Sequence, residues 1–339
     1  MTASVLVFVV AGALLVLAGS ALTRAADAIA EHSGLGRVWI GAVLLAAATS
    51  LPELATDVSA VRLGAPDLGA GDLFGSSLAN MLILAGIGLL PPIGRVFRAA
   101  APAHAMTACL AITLNAAAGA FVFLRAPRSG WPVGPEAVLL AVGFVAGMRV
   151  VYAQGSAGGA GTAAIVQSAP GRSRRLLGSA VLRFGLATLA VLVIAPALAW
   201  SAKRIAELSG LGATFIGTWL VGLSTSLPEV VTSVAAVRLG AVDLAIGNLF
   251  GSNAFNMAVF LAMDVAHPEG SIFGALGPGH VLSALLAIVL MAVGLAAIIL
   301  RTEGRWRLLE PGGLLMVLIY LGGLWAMYAG VAGAAPPPP

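Results

Sequence analysis

Long apolar stretches, separated by short segments with Gly, Pro or charge, recur along the whole 339-residue chain. Each stretch holds about 20 residues, which is the length an α-helix needs to cross a hydrocarbon layer of about 30 Å. The pattern predicts an all-α, polytopic membrane protein. Its ten predicted spans are 4–28, 38–61, 68–90, 102–124, 133–153, 179–202, 213–237, 244–265, 276–300 and 312–332.

Composition agrees with a membrane location. Hydrophobic residues make up 60% of the chain and charged residues only 9%, against about 25% charged in an average soluble domain. An ordinary soluble enzyme is therefore excluded. The first apolar stretch has no positively charged segment before it, so it is predicted to be the first span and not a cleaved signal peptide.

The polar segments between the spans predict the domain organisation and the orientation. Residues 155–178 are rich in Gly, Ala and Ser and end in three arginines, which predicts a flexible basic linker between a first five-helix repeat, 1–154, and a second, 179–332. Residues 333–339 are predicted to be a Pro-rich tail. Counted by side, 13 basic residues fall on the side of the linker and five on the other. The positive-inside rule then places the linker in the cytoplasm and both termini outside, in a bacterial plasma membrane.

The two halves of the chain are duplicates. Residues 41–86 align without a gap on 217–262, at an offset of 176, and 24 of the 46 pairs are identical. The shared strings are TSLPE, VRLGA and LFGS. Because each half holds five spans, an odd number, the second copy enters the membrane from the opposite side. The sequence therefore predicts inverted repeats related by a pseudo-two-fold axis in the membrane plane.

Two acidic residues occupy equivalent positions near the middle of the second and seventh spans, Glu53 and Glu229. A carboxylate at that depth costs about 2.5–3.5 kcal/mol on insertion scales, so it must face a partner, a cavity or water. With no intramembrane Lys or Arg beside either, the pair predicts one shared cation site.

Neighbouring residues supply further oxygen donors. Pro52 and Pro228 each remove a backbone donor, so each helix is predicted to kink just before its Glu and to free carbonyl groups. Hydroxyl groups three or four residues before each Glu lie near the same helical face. On the third and eighth spans, a Ser and an Asn four residues apart turn one polar face toward a partner helix, while Gly75 and Gly251 permit close packing. These polar residues are Thr49, Ser50, Thr225, Ser226, Ser76, Asn80, Ser252 and Asn256.

Other chemistry is weakly represented. The four histidines lie at predicted span ends without metal-ligand spacing and are predicted to be surface residues. The chain holds no zinc-protease, nucleotide-binding or serine-hydrolase motif, so no enzyme activity is predicted. No cofactor, nucleic-acid partner or obligate protein partner is expected, and the lipid bilayer is the expected surroundings.

In TSLPE followed by GDLFGSSLAN, and again in TSLPE followed by GNLFGSNAFN, the chain resembles the calcium/cation antiporter superfamily, most closely its prokaryotic sodium/calcium exchanger branch. The resemblance implies a central site where sodium and calcium compete as transported substrates, with the residues above as ligands. It also implies ligation by backbone carbonyls near Ala46 and Gly222. The absence of an acid at Gly75 and Gly251 favours sodium over proton coupling, and Asn256 argues against potassium co-transport.

Two acids depart from the family pattern. Asp72 stands where the second repeat has Asn248, and Asp57, one turn beyond Glu53, is paired with Ser233. They keep open a rival function, proton- or sodium-coupled antiport of magnesium or manganese. A second rival is a passive cation channel, although a self-contained inverted repeat favours a transporter. The preferred prediction is electrogenic sodium/calcium exchange by alternating access.

Overall fold

The computed structural model describes residues 1–89, 103–125, 133–159, 170–208, 225–268, 270–300 and 311–334. Within these ranges the regular structure is helical throughout. The helices are α1 (Thr2–Ser33), α2 (Arg37–Arg62), α3 (Pro66–Leu89), α4 (His104–Leu124), α5 (Pro135–Gly159), α6 (Pro170–Leu208), α7 (Leu227–Arg238), α8 (Val242–Ala266), α9 (Gly279–Leu300) and α10 (Pro311–Ala334). A 3₁₀ turn, Ile272–Gly274, lies between α8 and α9.

Each helix corresponds to one predicted span. Eight of the described helices are long and apolar enough to cross a membrane, namely α1 to α6, α8 and α9, and Pro311–Met327 of α10 is a shorter apolar segment. The seventh predicted span, 213–237, is represented by α7 from Leu227 onward, and its residues 213–224 lie outside the described ranges. The all-helical, multi-pass prediction is confirmed.

Repeated sequence strings end equivalent helices. In both copies of VRLGA the glycine adopts a left-handed backbone, with φ of 77° at Gly64 and 74° at Gly240. Glycine takes this conformation without a Cβ clash and so terminates α2 and α7. Pro66 then begins α3, where its fixed φ suits the first turn.

The predicted linker and tail are shorter than the sequence suggested. Helix α5 continues to Gly159 and α6 already begins at Pro170, so both ends of the predicted linker 155–178 are helical. Helix α10 likewise extends to Ala334, one residue into the predicted tail. Gly and Ser lower helix propensity by only about 0.5–1 kcal/mol per residue, and a helix already running out of the membrane can extend through them. Residues 160–169 and 335–339 lie outside the described part of the chain.

The helices that carry the polar motifs lie innermost. In α8, 83% of the most apolar window is buried, and in α3 61%, against 28% in α1 and 22% in α5 and α6. One apolar cluster joins α3, α4, α8, α9 and α10, and a second joins α1 and α6 to the start of α2 and of α8. The outer helices therefore separate the polar centre from lipid.

The first part of α2 packs against α8 with almost no space between the backbones. A π-helical segment, Ile40–Leu45, interrupts α2 just before its polar motif. A Cβ on Gly41 would lie 2.7 Å from the carbonyl oxygen of Leu244, and one on Gly251 would collide with the carbonyl of Ala42. The predicted close packing is therefore present at Gly251. At Gly75 close packing stays a prediction, because Thr218, the counterpart of Ala42, lies outside the described residues.

Candidate cation site

The two membrane-embedded glutamates lie in the protein interior. Glu53, in the middle of α2, is 3% exposed, and Glu229, in the first turn of α7, is fully buried. When both are ionised, the two carboxylates repel each other. Neither side chain faces lipid, and the shared cation site stays a prediction.

Few donors satisfy these carboxylates. The hydroxyl of Ser76 on α3 donates a 2.6 Å hydrogen bond to Oε1 of Glu53, whereas Oε2 of Glu53 has no partner among the described residues. Both carboxylate oxygens of Glu229 are also buried without a hydrogen bond to any described residue, although the hydroxyls of Thr49 and Ser50 lie near them. A buried, unpaired carboxylate oxygen is costly, so either a bound cation or a proton has to neutralise it.

The hydroxyl and amide groups of the motifs meet across the pseudo-two-fold axis. Two of the contacts between the repeats have a counterpart at an offset of 176 residues. The side-chain contact Ser50–Ser252, at 3.2 Å, corresponds to Ser76–Ser226, at 3.5 Å. The contact Thr49–Asn248, at 3.3 Å, corresponds to Thr225–Asp72, at 3.4 Å. The TSLPE segment of each repeat thus faces the α3 or α8 helix of the other. Eight motif residues that are distant in sequence form one cluster.

The two remaining motif residues, Asn80 and Asn256, use their amide nitrogens for packing. Nδ2 of Asn80 donates to Oδ1 of Asn253 at 2.9 Å, and Nδ2 of Asn256 donates to the carbonyl of Leu73 at 3.4 Å. The amide oxygens of both asparagines are buried and have no partner in the described part of the chain. The nitrogen contacts fix these side chains, and their oxygens stay available as ligands.

The unsatisfied atoms of this cluster are all oxygens. A hard cation such as calcium or sodium binds six to eight such oxygens, drawn from carboxylates, amides, hydroxyls, carbonyls and water. Among the described residues no group of three or more His, Cys, Asp or Glu side chains converges on one point. The unpaired oxygens therefore fit a mixed oxygen shell around two carboxylates.

Two further acids extend the cluster on the first-repeat side. Asp57 is 1% exposed and neither of its oxygens has a hydrogen bond within the described ranges; Oδ2 of Asp72 is likewise buried and unpaired. The negative charges of Asp57 and Asp72 repel each other and the charge of Glu53. The second repeat has Ser233 and Asn248 at these positions, so the site is electrostatically asymmetric.

Not every predicted backbone feature is visible. The carbonyl of Ala46 lies 3.2 Å from the hydroxyl of Thr49, its neighbour in the same helix. Gly222 lies outside the described residues. Pro52 lies inside α2, whereas Pro228 lies in the first turn of α7, where a missing backbone donor carries no penalty. The predicted kinks and carbonyl ligands stay predictions.

Several polar contacts were not anticipated. Asn253 connects the halves through Asn80 and through the carbonyl of Ser77 at 3.3 Å. Two histidine–aspartate pairs, His104–Asp243 and His280–Asp67, each span 2.9 Å between the repeats.

The surface prediction for the histidines is wrong for His104, which is fully buried. It pairs with an aspartate at the start of α8, and a buried imidazole needs such a partner. Sequence offered a usable signal, because both the histidines and the aspartates of the two pairs are separated by 176 residues.

Known proteins resemble this chain over nearly its whole length. Residues 3–151 and 179–329 match the family described as sodium/calcium exchanger protein. An uncharacterized membrane protein of Methanocaldococcus jannaschii is 28% identical over 296 residues, which cover 87% of this chain and 88% of that protein. The inner membrane protein YrbG of Escherichia coli is 26% identical, over 76% of this chain and 78% of its own. The sodium/calcium exchanger MaX1 of Methanosarcina acetivorans is 32% identical, but over 36% of this chain and 33% of its own.

The fold is also similar to a solved structure. The sodium-calcium exchanger NCX_Mj, soaked with sodium, superposes with a TM-score of 0.72 at 20% identity, covering 96% of this chain and 99% of that one. At this identity the likeness concerns the fold alone, and it agrees with the ten helices and inverted repeats found above. The family model, in contrast, matches the sequence of both halves of the chain. This chain therefore belongs to the sodium/calcium exchanger protein family, whose members are transporters.

Proposed function

We propose that this protein exchanges sodium for calcium across the membrane by alternating access at the Glu53–Glu229 site. The observation that carries the proposal is the set of buried, unpaired oxygens on these two carboxylates, each contributed by one repeat. A site shared by two inverted repeats suits alternating access, because movement of one repeat against the other exposes the same ligands to either side.

The charges of the site suggest the coupling. Asn80 and Asn256 are neutral, so the two glutamates give the inner cluster a charge of −2, enough to neutralise one calcium ion. Three sodium ions in their place would leave one positive charge, which makes the exchange electrogenic. Empty carboxylates facing each other in a low dielectric are unfavourable, so the unloaded protein should change conformation slowly. That slow step is what couples the two ion fluxes.

The experiment that tests the proposal is calcium-45 uptake into proteoliposomes driven by an imposed sodium gradient. We expect Glu53→Gln and Glu229→Gln each to abolish uptake, because the amide removes one charge from the site. Glu31→Gln is the matched control, since Glu31 is exposed at the end of α1, and it should transport normally. Full sodium-driven uptake in both site variants would overturn the assignment.

A second candidate is antiport of magnesium or manganese coupled to protons or sodium, and the acids Asp57 and Asp72 are the observation that favours it. Replacing them by their second-repeat counterparts, Asp57→Ser and Asp72→Asn, restores the symmetry of the site. If calcium is the substrate, unlabelled calcium should compete with calcium-45 better than magnesium or manganese in the wild type and in both variants. Equal competition, or uptake driven by a proton gradient without sodium, would support the second candidate.

A further inference from the structure

A cavity of about 570 Å³ lies between α1 and α6 and shares no residue with the cation site. Alanine accounts for seven of its 13 lining residues. They follow one another three, four or seven residues apart and so form one face of each helix: Ala18, Ala21, Ala25 and Ala28 on α1, and Ala180, Ala187 and Ala190 on α6. Such small side chains leave an apolar slot.

Basic side chains line this slot together with the alanines. Arg24 and Arg183 lie midway along it, and His32 lies at one end. Among the described residues neither arginine pairs with a carboxylate, and Asp27, the acid nearest to Arg24 along α1, already holds Arg37 at 2.6 Å. Both arginines lie within predicted spans, where an unpaired cation is costly and marks a functional site by default. We therefore expect an anion to occupy the cavity.

The apolar walls of the cavity distinguish between a free phosphate ion and a phospholipid as its occupant. Helices α1 and α6 run antiparallel, since Gly12 lies beside Leu198 while His32 and Leu176 line the same cavity. Leu186, which lines the slot, is 60% exposed, so the slot is continuous with the outer, lipid-facing surface of α6. A free phosphate ion would leave these apolar walls uncovered, whereas a phospholipid would cover them with its acyl chain.

We propose that this cavity binds an anionic phospholipid, with its phosphate between Arg24 and Arg183 and an acyl chain along the alanine faces. Guanidinium groups bind phosphate through charge-assisted hydrogen bonds. Basic pockets between membrane helices on the cytoplasmic side bind anionic headgroups in this way. The arginine count predicts that the end of the slot at His32 and Leu176 faces the cytoplasm, where the exposed Arg174 and Arg175 add to the basic surface.

Native mass spectrometry of the full chain in mild detergent, with added cardiolipin, phosphatidylglycerol or phosphatidylcholine, tests the proposal. The wild type should retain the two anionic lipids in preference to phosphatidylcholine. The double variant Arg24→Gln/Arg183→Gln should lose roughly tenfold or more of that retention, because each cationic side chain contributes to the binding of the anionic headgroup. The matched control is Arg149→Gln/Arg238→Gln, which removes two exposed arginines outside the cavity and should retain lipid like the wild type.

Thermal unfolding supplies a second readout. Added anionic lipid should raise the Tm of the wild type and of the control, but not that of the cavity variant, whose lipid-free Tm should be unchanged. Equal retention by all three proteins, equal binding of phosphatidylcholine, displacement of lipid by inorganic phosphate alone, or a lipid-free dimer through this face would each overturn the proposal. The measurement needs no ion flux, so its outcome is independent of the proposed transport activity.

Discussion

At the scale of single residues, the candidate site depends on which hydroxyl groups reach the carboxylates and which bond to their own helix. Ser76 donates to Glu53 across helices, whereas its neighbour Ser77 donates to the carbonyl of Leu73, one turn earlier in α3. Both serines are buried, so burial alone does not distinguish them. The difference arises from the direction that each side chain takes on the helix.

This contrast yields a prediction for Ser76→Ala and its matched control, Ser77→Ala. Losing the donor to Glu53 should weaken calcium binding about tenfold, which corresponds to about 1.4 kcal/mol for a hydrogen bond to a charged group. Ser77→Ala should bind calcium like the wild type. Isothermal titration with purified protein checks both, and equal affinities in the two variants would remove Ser76 from the site.

At the scale of elements, the position of α8 against α2 follows from the absence of side chains on Gly41, Gly247 and Gly251. A Cβ on Gly247 would lie 2.8 Å from the carbonyl of Val38, so backbone approaches backbone along two turns of α8. The π-helical segment of α2 lies at this contact, and one side of the cation site is built directly beyond it. Packing here fixes the distance between Ser50 and Ser252.

Two glycines should therefore respond in opposite ways to alanine. Gly251→Ala forces a methyl group against the backbone of Ala42, and overpacking of this kind costs about 1–3 kcal/mol. Gly185→Ala is the control, because Gly185 lies exposed in α6 and an added Cβ there would meet no described atom within 4 Å. Alanine at this position replaces a poor helix former, which gains up to about 1 kcal/mol. Thermal unfolding in detergent should show a lower Tm for the first variant and an unchanged or higher Tm for the second. A destabilised Gly185→Ala with a tolerated Gly251→Ala would contradict the packing described.

At the scale of the whole molecule, contacts that recur at an offset of 176 residues join one repeat to the other. The histidine–aspartate pairs do so near the ends of the helices, and their surroundings differ. His104 is fully buried, whereas the side chain of Asp67, the partner of His280, is 58% exposed. Solvent screens the exposed pair, so the two pairs should not contribute equally to stability.

A double-mutant cycle on each pair measures this difference. For His104→Gln with Asp243→Asn we expect a coupling of about 1–3 kcal/mol, as for buried hydrogen bonds that involve a charged group. For His280→Gln with Asp67→Asn the expected coupling is about 0–1 kcal/mol. Unfolding midpoints of the wild type, the single variants and the double variants supply both values, and a larger coupling for the exposed pair would count against this account.

The orientation of the molecule is also testable. With the native thiol removed by Cys109→Ala, single cysteines are placed at the exposed positions Arg62 and Arg174. A membrane-impermeant maleimide applied to intact spheroplasts should label Arg62→Cys at once and Arg174→Cys after permeabilisation. The reverse order of labelling would place the termini in the cytoplasm.

The sequence predicted the features that follow from the pattern of apolar stretches and from the internal duplication. Apolar stretches located the helices, and the repeated TSLPE strings located Glu53 and Glu229 in equivalent places. It did not predict the helical ends of the linker, because Gly and Ser disfavour a helix weakly and tertiary context decides. Nor did it predict that Asn253 connects Asn80 with Ser77, since such contacts depend on how two helices rotate against each other. Residue type alone does not determine that rotation.

The most direct test of the central claim is a structure determined with strontium, a heavy divalent ion that binds oxygen ligands as calcium does. We expect an anomalous scattering peak between Glu53 and Glu229, about 2.3–2.6 Å from ligand oxygens of both if the ion binds as calcium does. This peak should disappear in Glu229→Gln. A peak elsewhere in the protein, or one that persists unchanged in that variant, would contradict the central claim.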